Sequence, residues 1–177
     1  MASLPPTSTL PTLDAEQRTQ VLDTLFEPCL QLHTLSVSLL REQSFPSYES
    51  LIEAVGEQLL ELHRSNLETD HKWLEAILSA HPRLGEKQVE SEQSRKEQAQ
   101  LNQGGADEAE KLADMNRKYE DRFPGLKYVV FVNGRSRPII MEDMQRRIDR
   151  GDIQLEKQEG IQAMCDIAKD RAKKLGG

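Results

Sequence analysis

The sequence predicts an all-α protein, a single-domain bundle of roughly eight or nine helices with one short extended segment. Three observations lead to this prediction. Apolar residues recur three and four positions apart along most of the chain. The length of 177 residues is that of one ordinary domain. The one clearly β-prone run, residues 128–132, has no obvious partner strand, so we expect it to pack as an extended segment inside a helical protein.

The N-terminal half begins with a proline-rich stretch and continues as helices. Residues 1–12 contain three prolines and are expected to form either an ordered lead-in or a loose arm. Asp14 is a good N-cap, and Gln17 three residues later completes a capping-box pattern. Pro28 favours the start of a second helix, and Ser47 can cap a third. Four helices are therefore predicted here, at about 15–26, 28–40, 48–63 and 70–80.

The C-terminal half is predicted to hold four more helices, at about 91–102, 107–123, 139–151 and 153–175. They are separated by pairs of residues that favour turns, Gly104-Gly105, Pro124-Gly125 and Asn133-Gly134. No internal repeat or low-complexity tract interrupts this order. The whole chain, residues 1–177, is thus expected to form one domain.

Composition excludes several classes of protein. The net charge of −7 argues against a nucleic-acid partner, which would favour a basic face. The two cysteines, Cys29 and Cys165, show no CxxC spacing, so neither a disulfide framework nor a zinc site is expected. No apolar run approaches the roughly 20 residues that a membrane span needs, and the first residues do not resemble a secretory signal. We expect a soluble intracellular protein.

The most informative stretch is His81 to Gln98. Pro82 disfavours the α conformation in the residue before it, which places His81 at a helix boundary. In the following helix Ser94, Glu97 and Gln98 would project from one face, because residues three and four apart are neighbours on a helix. An imidazole that faces a carboxylate is a workable proton-transfer pair, and a close carboxylate would favour the charged form of the ring.

Each of these features also has a simpler interpretation. A histidine at a helix end is a favourable cation without any catalytic role. The run from Glu86 to Glu97 could be a solvated charged face. Residues 133–137 could offer backbone N–H groups and two guanidiniums to an anion, or form a basic surface turn. The other histidines make no HxxxH pair and are expected to be structural: His33, His63 and His71.

Three motifs together carry a family resemblance: His81-Pro82-Arg83-Leu84-Gly85, Ser94-x-x-Glu97-Gln98, and Met115-Asn116-x-x-Tyr119-x-x-x-Phe123. The series resembles that of the 2-oxo-4-hydroxy-4-carboxy-5-ureidoimidazoline (OHCU) decarboxylases, small all-helical enzymes of urate degradation that usually pair as homodimers. The resemblance covers most of the chain and is strongest between about residues 74 and 137. It implies a decarboxylase that converts OHCU to (S)-allantoin and CO2 with no cofactor and no metal.

The resemblance also implies roles for individual residues. His81 matches the catalytic proton donor, and Glu97 matches the carboxylate that orients it. Ser94 and Gln98 match side chains that contact the ureido and ring atoms, and Pro82 matches a residue of the ring wall. An extended, substrate-binding stretch of the family is matched by Tyr128, Val129, Val130, Phe131 and Val132. The family often has an arginine just after this stretch, where this chain has Asn133. Arg135 is the nearest substitute for that arginine.

Two departures from the family pattern bear on activity. The loop between His81 and Ser94 looks short, and residues 123–129 carry an extra residue and a lysine. The alternative to an enzyme is therefore a non-catalytic helical module of the same fold that binds a purine-derived metabolite or a protein partner. A urate-degrading enzyme could be peroxisomal, but the terminal residues 174–177 are not a signal of the S-K-L type, so the cytoplasm is expected.

Overall fold

The structure, a computed structural model, describes residues 3–86, 91–99 and 105–177. Within these ranges the chain folds as a short 3₁₀ helix, Thr7–Thr12, and eight α-helices: α1 Ala15–Leu25, α2 Leu30–Glu42, α3 Tyr48–Arg64, α4 Glu68–Leu78, α5 Glu92–Gln98, α6 Ala106–Arg122, α7 Arg137–Arg150 and α8 Ile153–Lys174. These ranges contain no β-strand. The predicted all-α fold is confirmed.

The helix ends follow local capping chemistry closely. The capping box of α1 is present, with Asp14 accepting from the Gln17 backbone N–H and the Gln17 side chain accepting from Asp14. Ser47 caps α3 as predicted. The second helix starts at Leu30, not at Pro28, because the backbone is still extended at Cys29. Residues 100–102 of the predicted helix 91–102 lie outside the described residues, as does Gly104.

The N-terminal segment is packed against the bundle. Leu10 is fully buried, and the Tyr48 hydroxyl donates to the Pro5 carbonyl oxygen at 2.6 Å. The 3₁₀ helix Thr7–Thr12 contacts α2. Of the two alternatives for the first twelve residues, the loose arm is wrong for residues 3–12, because an apolar side chain and a buried hydroxyl fix them to the core.

The 22-residue helix α8 organises the core. It packs most extensively against α3, where a Cβ at Gly56 would lie 2.9 Å from the Cys165 Sγ. Glycine at position 56 therefore permits the close approach of the two helices. None of the helices in the described ranges is long and apolar enough to cross a bilayer.

Residues 128–132, the predicted extended segment, belong to no helix and have no ladder partner in the part of the chain that the structure describes. Tyr128 and Val129 are each 3% exposed. The segment ends in a tight turn, in which Asn133 and Gly134 have φ angles of 47° and 72° and the Arg135 N–H donates to the Val132 carbonyl at 3.0 Å. Asparagine and glycine are the residues that adopt this left-handed conformation most readily.

Candidate active site

A cavity of about 300 Å³ lies where the loop after α4, helix α5, the extended segment and the C-terminal end of α8 meet. It is lined by nearly all of the residues that the sequence singles out: His81, Pro82, Ser94, Glu97, Gln98, Tyr128, Val129, Val130, Phe131 and Val132. Residues of α8 complete it, Ile167, Asp170 and Lys174. The segments predicted to meet do meet, although they are distant in the sequence.

His81 lies three residues beyond the end of α4 and is only 5% exposed. Its ring Nε2 is buried and has no hydrogen-bond partner among the described residues. Burial lowers the pKa of His81 to about 4, although the carboxylate of Glu27 acts in the opposite direction. The imidazole is therefore uncharged near neutral pH, and the expectation of a charged ring is wrong.

Glu97 does not contact His81 through a hydrogen bond in the described structure. Its two carboxylate oxygens instead accept from Arg171, from Nε at 2.7 Å and from Nη2 at 3.1 Å. The predicted direct orientation of His81 by Glu97 is thus not seen. The reason is that Arg171, from the last turn of α8, satisfies the Glu97 carboxylate at the edge of the cavity.

Arg171 joins α8 to α1 and α5 at this edge. It is 2% exposed, and its Nη2 donates to the Glu27 carboxylate at 2.9 Å and to the Ser94 hydroxyl oxygen at 3.1 Å. Burial alone would lower the pKa of Arg171, but the carboxylates of Glu97 and Glu27 outweigh it and raise the pKa. The guanidinium is therefore charged, and it fixes the positions of two cavity residues.

Ser94 is hydrogen-bonded to the same two residues, Arg171 and Glu27. Its hydroxyl donates to the Glu27 carboxylate and accepts from Arg171. Because a hydroxyl has one proton, Ser94 can act toward a ligand only as an acceptor while this arrangement holds.

Gln98 fixes the loop that carries His81. Its side-chain oxygen accepts from the Gly85 N–H at 3.0 Å, and Asn116 on α6 donates to the Leu84 carbonyl at 3.0 Å. The side-chain N–H groups of Gln98 donate to no described residue. They remain available to a ligand carbonyl in the cavity.

The extended segment lines the cavity and has unpaired backbone groups. In the described structure, the N–H groups of residues 129–132 and the Val130 carbonyl have no protein partner. Because a backbone polar group held away from water needs a partner, these groups are suited to a polar ligand.

Comparison with known families agrees with this geometry. A scan against protein-family models matches residues 11–173 to the OHCU decarboxylases. The chain belongs to the OHCU decarboxylase family. This membership confirms the resemblance and supports a lyase of the decarboxylase type with a role in urate degradation. No match was found among curated proteins.

One residue expected from the family pattern is absent from the cavity. Arg135 folds back on its own turn, where its guanidinium donates to the carbonyls of Phe131 at 2.5 Å and Val132 at 3.2 Å. It lines a second cavity on another side of the extended segment. The expectation that Arg135 replaces the family arginine in the substrate site is therefore wrong, because the backbone carbonyls of its own turn hold its side chain.

Arg171 and Glu27 are the cavity-edge residues that sequence reasoning missed. The position of Arg171 could have been recognised in the sequence, because it follows Ile167 by four residues and Ala168 by three, on the buried face of α8. A charge on an apolar stripe indicates a buried partner. Glu27 lies between two helices and carries no such periodic signal. The described residues contain no group of three or more His, Cys, Asp or Glu side chains arranged to hold a metal ion.

Proposed function

We propose that the protein is a cofactor-independent decarboxylase that converts OHCU to (S)-allantoin and CO2, with His81 moving the proton. The observation that carries this proposal is the position of a buried, uncharged imidazole in the wall of a small cavity that is also lined by Glu97, Gln98 and residues 128–132. A cavity of about 300 Å³ suits a small heterocyclic ligand. Family membership supports the reaction class.

The polar groups of the cavity complement the substrate. The ureido group has N–H donors for the Glu97 carboxylate and a carbonyl for the Gln98 amide. The ring carbonyl and nitrogens can pair with the free N–H and carbonyl groups of residues 129–132, while Pro82 supplies part of a wall against the ring. Because Arg171 fixes Glu97, this pairing needs little rearrangement of the protein when substrate binds.

The substrate contains its own electron sink. Its carboxylate is on a carbon next to a carbon–nitrogen double bond, so the electron pair released with CO2 moves toward that bond and the nitrogen takes a proton from solvent. The carbon–carbon bond that breaks must be held out of the ring plane for this overlap. Orientation of this kind is worth several kcal/mol in well-aligned reactions.

The remaining step moves one proton, and His81 is placed to carry it. Loss of CO2 leaves an enol, in which the former substrate hydroxyl is on one carbon of the new double bond. An uncharged His81 can accept the hydroxyl proton and donate it to one face of the neighbouring carbon, which yields the ketone and sets the configuration. His81 is thus a proton donor that first acts as a base, as its low pKa requires.

The test is turnover of freshly generated substrate. Urate oxidation product is prepared in situ, mixed with the protein at neutral pH, and followed by circular dichroism for chiral allantoin and by CO2 release. We expect one enantiomer to appear well above the rate without protein, because only the protein supplies a chiral surface. Thermal stabilisation by allantoin without any added CO2 release would instead support the non-catalytic, metabolite-binding alternative. Pairing as a homodimer stays a prediction from the family resemblance.

A further inference from the structure

The extended segment needs support from outside itself. Residues 128–132 form no ladder with any other described residues, so the position of this cavity wall cannot come from a sheet. A second cavity of about 340 Å³ lies on another side of the segment, and Val130, Phe131 and Asn133 line both cavities. Packing alone therefore leaves part of the wall unsupported.

Arg147 of α7 holds the wall from the side of the second cavity. It is 3% exposed, and its Nη1 donates to the Val129 carbonyl at 2.9 Å. Its guanidinium carbon also lies 4.6 Å from the centre of the Tyr128 ring, a cation–π contact. One buried side chain thus fixes two consecutive residues of the wall, one through its backbone and one through its ring.

Arg147 is itself fixed by α8. Its Nε donates to the Glu156 carboxylate at 2.6 Å, and Glu156 is 1% exposed. The Tyr119 hydroxyl donates to the same oxygen at 2.5 Å. A buried carboxylate with these partners has little freedom to move, so the guanidinium is held in one orientation.

The Tyr128 ring has a second attachment. Its hydroxyl donates to the Asp143 carboxylate of α7 at 2.5 Å, and its edge packs against Tyr119 with the ring centres 5.5 Å apart. Asp143 lies one helical turn before Arg147. Two residues of α7, Asp143 and Arg147, therefore contact Tyr128 at the start of the wall.

We propose that Arg147, held by Glu156, is a positioning residue that sets the substrate-binding wall of the cavity. This inference rests on the proposed decarboxylase function. Lysine cannot replace the arginine, because one ammonium cannot reach the carboxylate and the carbonyl in the fixed planar geometry of a guanidinium while also lying over the ring. His81 is on another wall of the cavity, so disturbance of residues 128–132 weakens binding more than it slows the proton transfer.

The test compares Arg147→Lys with Arg150→Lys in the full-length protein. Arg150 bonds to the same Glu156 carboxylate at 3.3 Å and to Glu159 at 2.9 Å, but it makes no hydrogen bond to the extended segment in the described structure. For Arg147→Lys we expect KM for OHCU to rise about tenfold or more, with kcat within about threefold of wild type. For Arg150→Lys we expect both constants to stay within about threefold.

Whether the variant changes KM or kcat distinguishes a positioning role of Arg147 from a loss of protein stability. A purely structural role would lower the fraction of folded enzyme, and hence the apparent kcat, without changing KM. Equal KM values for the two variants would overturn the inference. If Arg147→Lys does not fold, Arg147→Gln takes its place, because it removes the guanidinium while Glu156 keeps its hydrogen bonds from Tyr119 and Arg150; a KM equal to wild type would then overturn the inference. Absence of turnover in the wild-type protein would refute the proposed function instead.

Discussion

Replacement of His81 by glutamine is expected to lower kcat by about 10²- to 10⁴-fold, the usual contribution of a positioned proton-transfer group. Glutamine has a similar length but cannot accept and return a proton near neutral pH. The fold should remain, since the buried Nε2 of His81 makes no hydrogen bond to a described residue that could be lost. The rate is measured as chiral allantoin formation, with far-ultraviolet circular dichroism and thermal unfolding on the same sample.

His63→Gln is the matched control for this experiment. His63 is also a buried histidine, at 9% exposure, with one unpartnered ring nitrogen in the described structure, but it lies outside the cavity. Its variant should keep kcat within about twofold of wild type. A His81→Gln protein that forms one allantoin enantiomer at near-normal rate would show that this imidazole does not carry the proton.

Replacement of Arg171 by methionine is expected to lower the free energy of unfolding by about 3–5 kcal/mol, because it leaves buried charge without a partner. Glu27, at 4% exposure, loses its cation, and Glu97 loses both of its hydrogen bonds from Arg171. The measurement is equilibrium unfolding in urea at neutral pH. The double variant Arg171→Met, Glu27→Gln should recover part of the loss, because it removes the buried negative charge.

Lys174→Met provides the control for charge and side-chain length on the same helix. Lys174 follows Arg171 by three residues, but its side chain is 68% exposed and pairs with Asp170 near the surface. Exposed pairs contribute little, so we expect a change within about 0.5 kcal/mol. Equal stability of Arg171→Met and Lys174→Met would contradict the structural role of the buried cluster.

Much of the fold follows from local sequence signals. The helix α1 starts where Asp14 and Gln17 form a capping box, and α3 starts where Ser47 provides a cap. These are short-range interactions, so a reader of the sequence can identify them. The cavity residues of α5 could be grouped for the same reason, because Ser94, Glu97 and Gln98 are neighbours on one helix face.

What could not be predicted depends on contacts between distant parts of the chain. The partner of Arg171 is Glu27, 144 residues away, and no local pattern connects them. Arg171 also donates hydrogen bonds to Ser94 and to Glu97, and Glu97 makes no hydrogen bond to His81 in the described structure. The charge state of His81 depends on how deeply the assembled fold buries it, which spacing in the sequence does not reveal. The predicted position of Arg135 in the substrate site is wrong for a related reason, since the conformation of its own turn determines where its guanidinium lies.

The central claim is that an uncharged, buried imidazole moves the proton in this cavity, and the pH dependence of kcat/KM tests it most directly. This ratio reports ionisations of the free enzyme and free substrate. Because the pKa of His81 is lowered to about 4, the ring is already uncharged above that pH. We predict that kcat/KM for allantoin formation stays nearly constant from about pH 8 to about pH 5.5. A rise of about tenfold per unit of acidification, or a midpoint at the ordinary histidine value of about 6.5, would contradict the account.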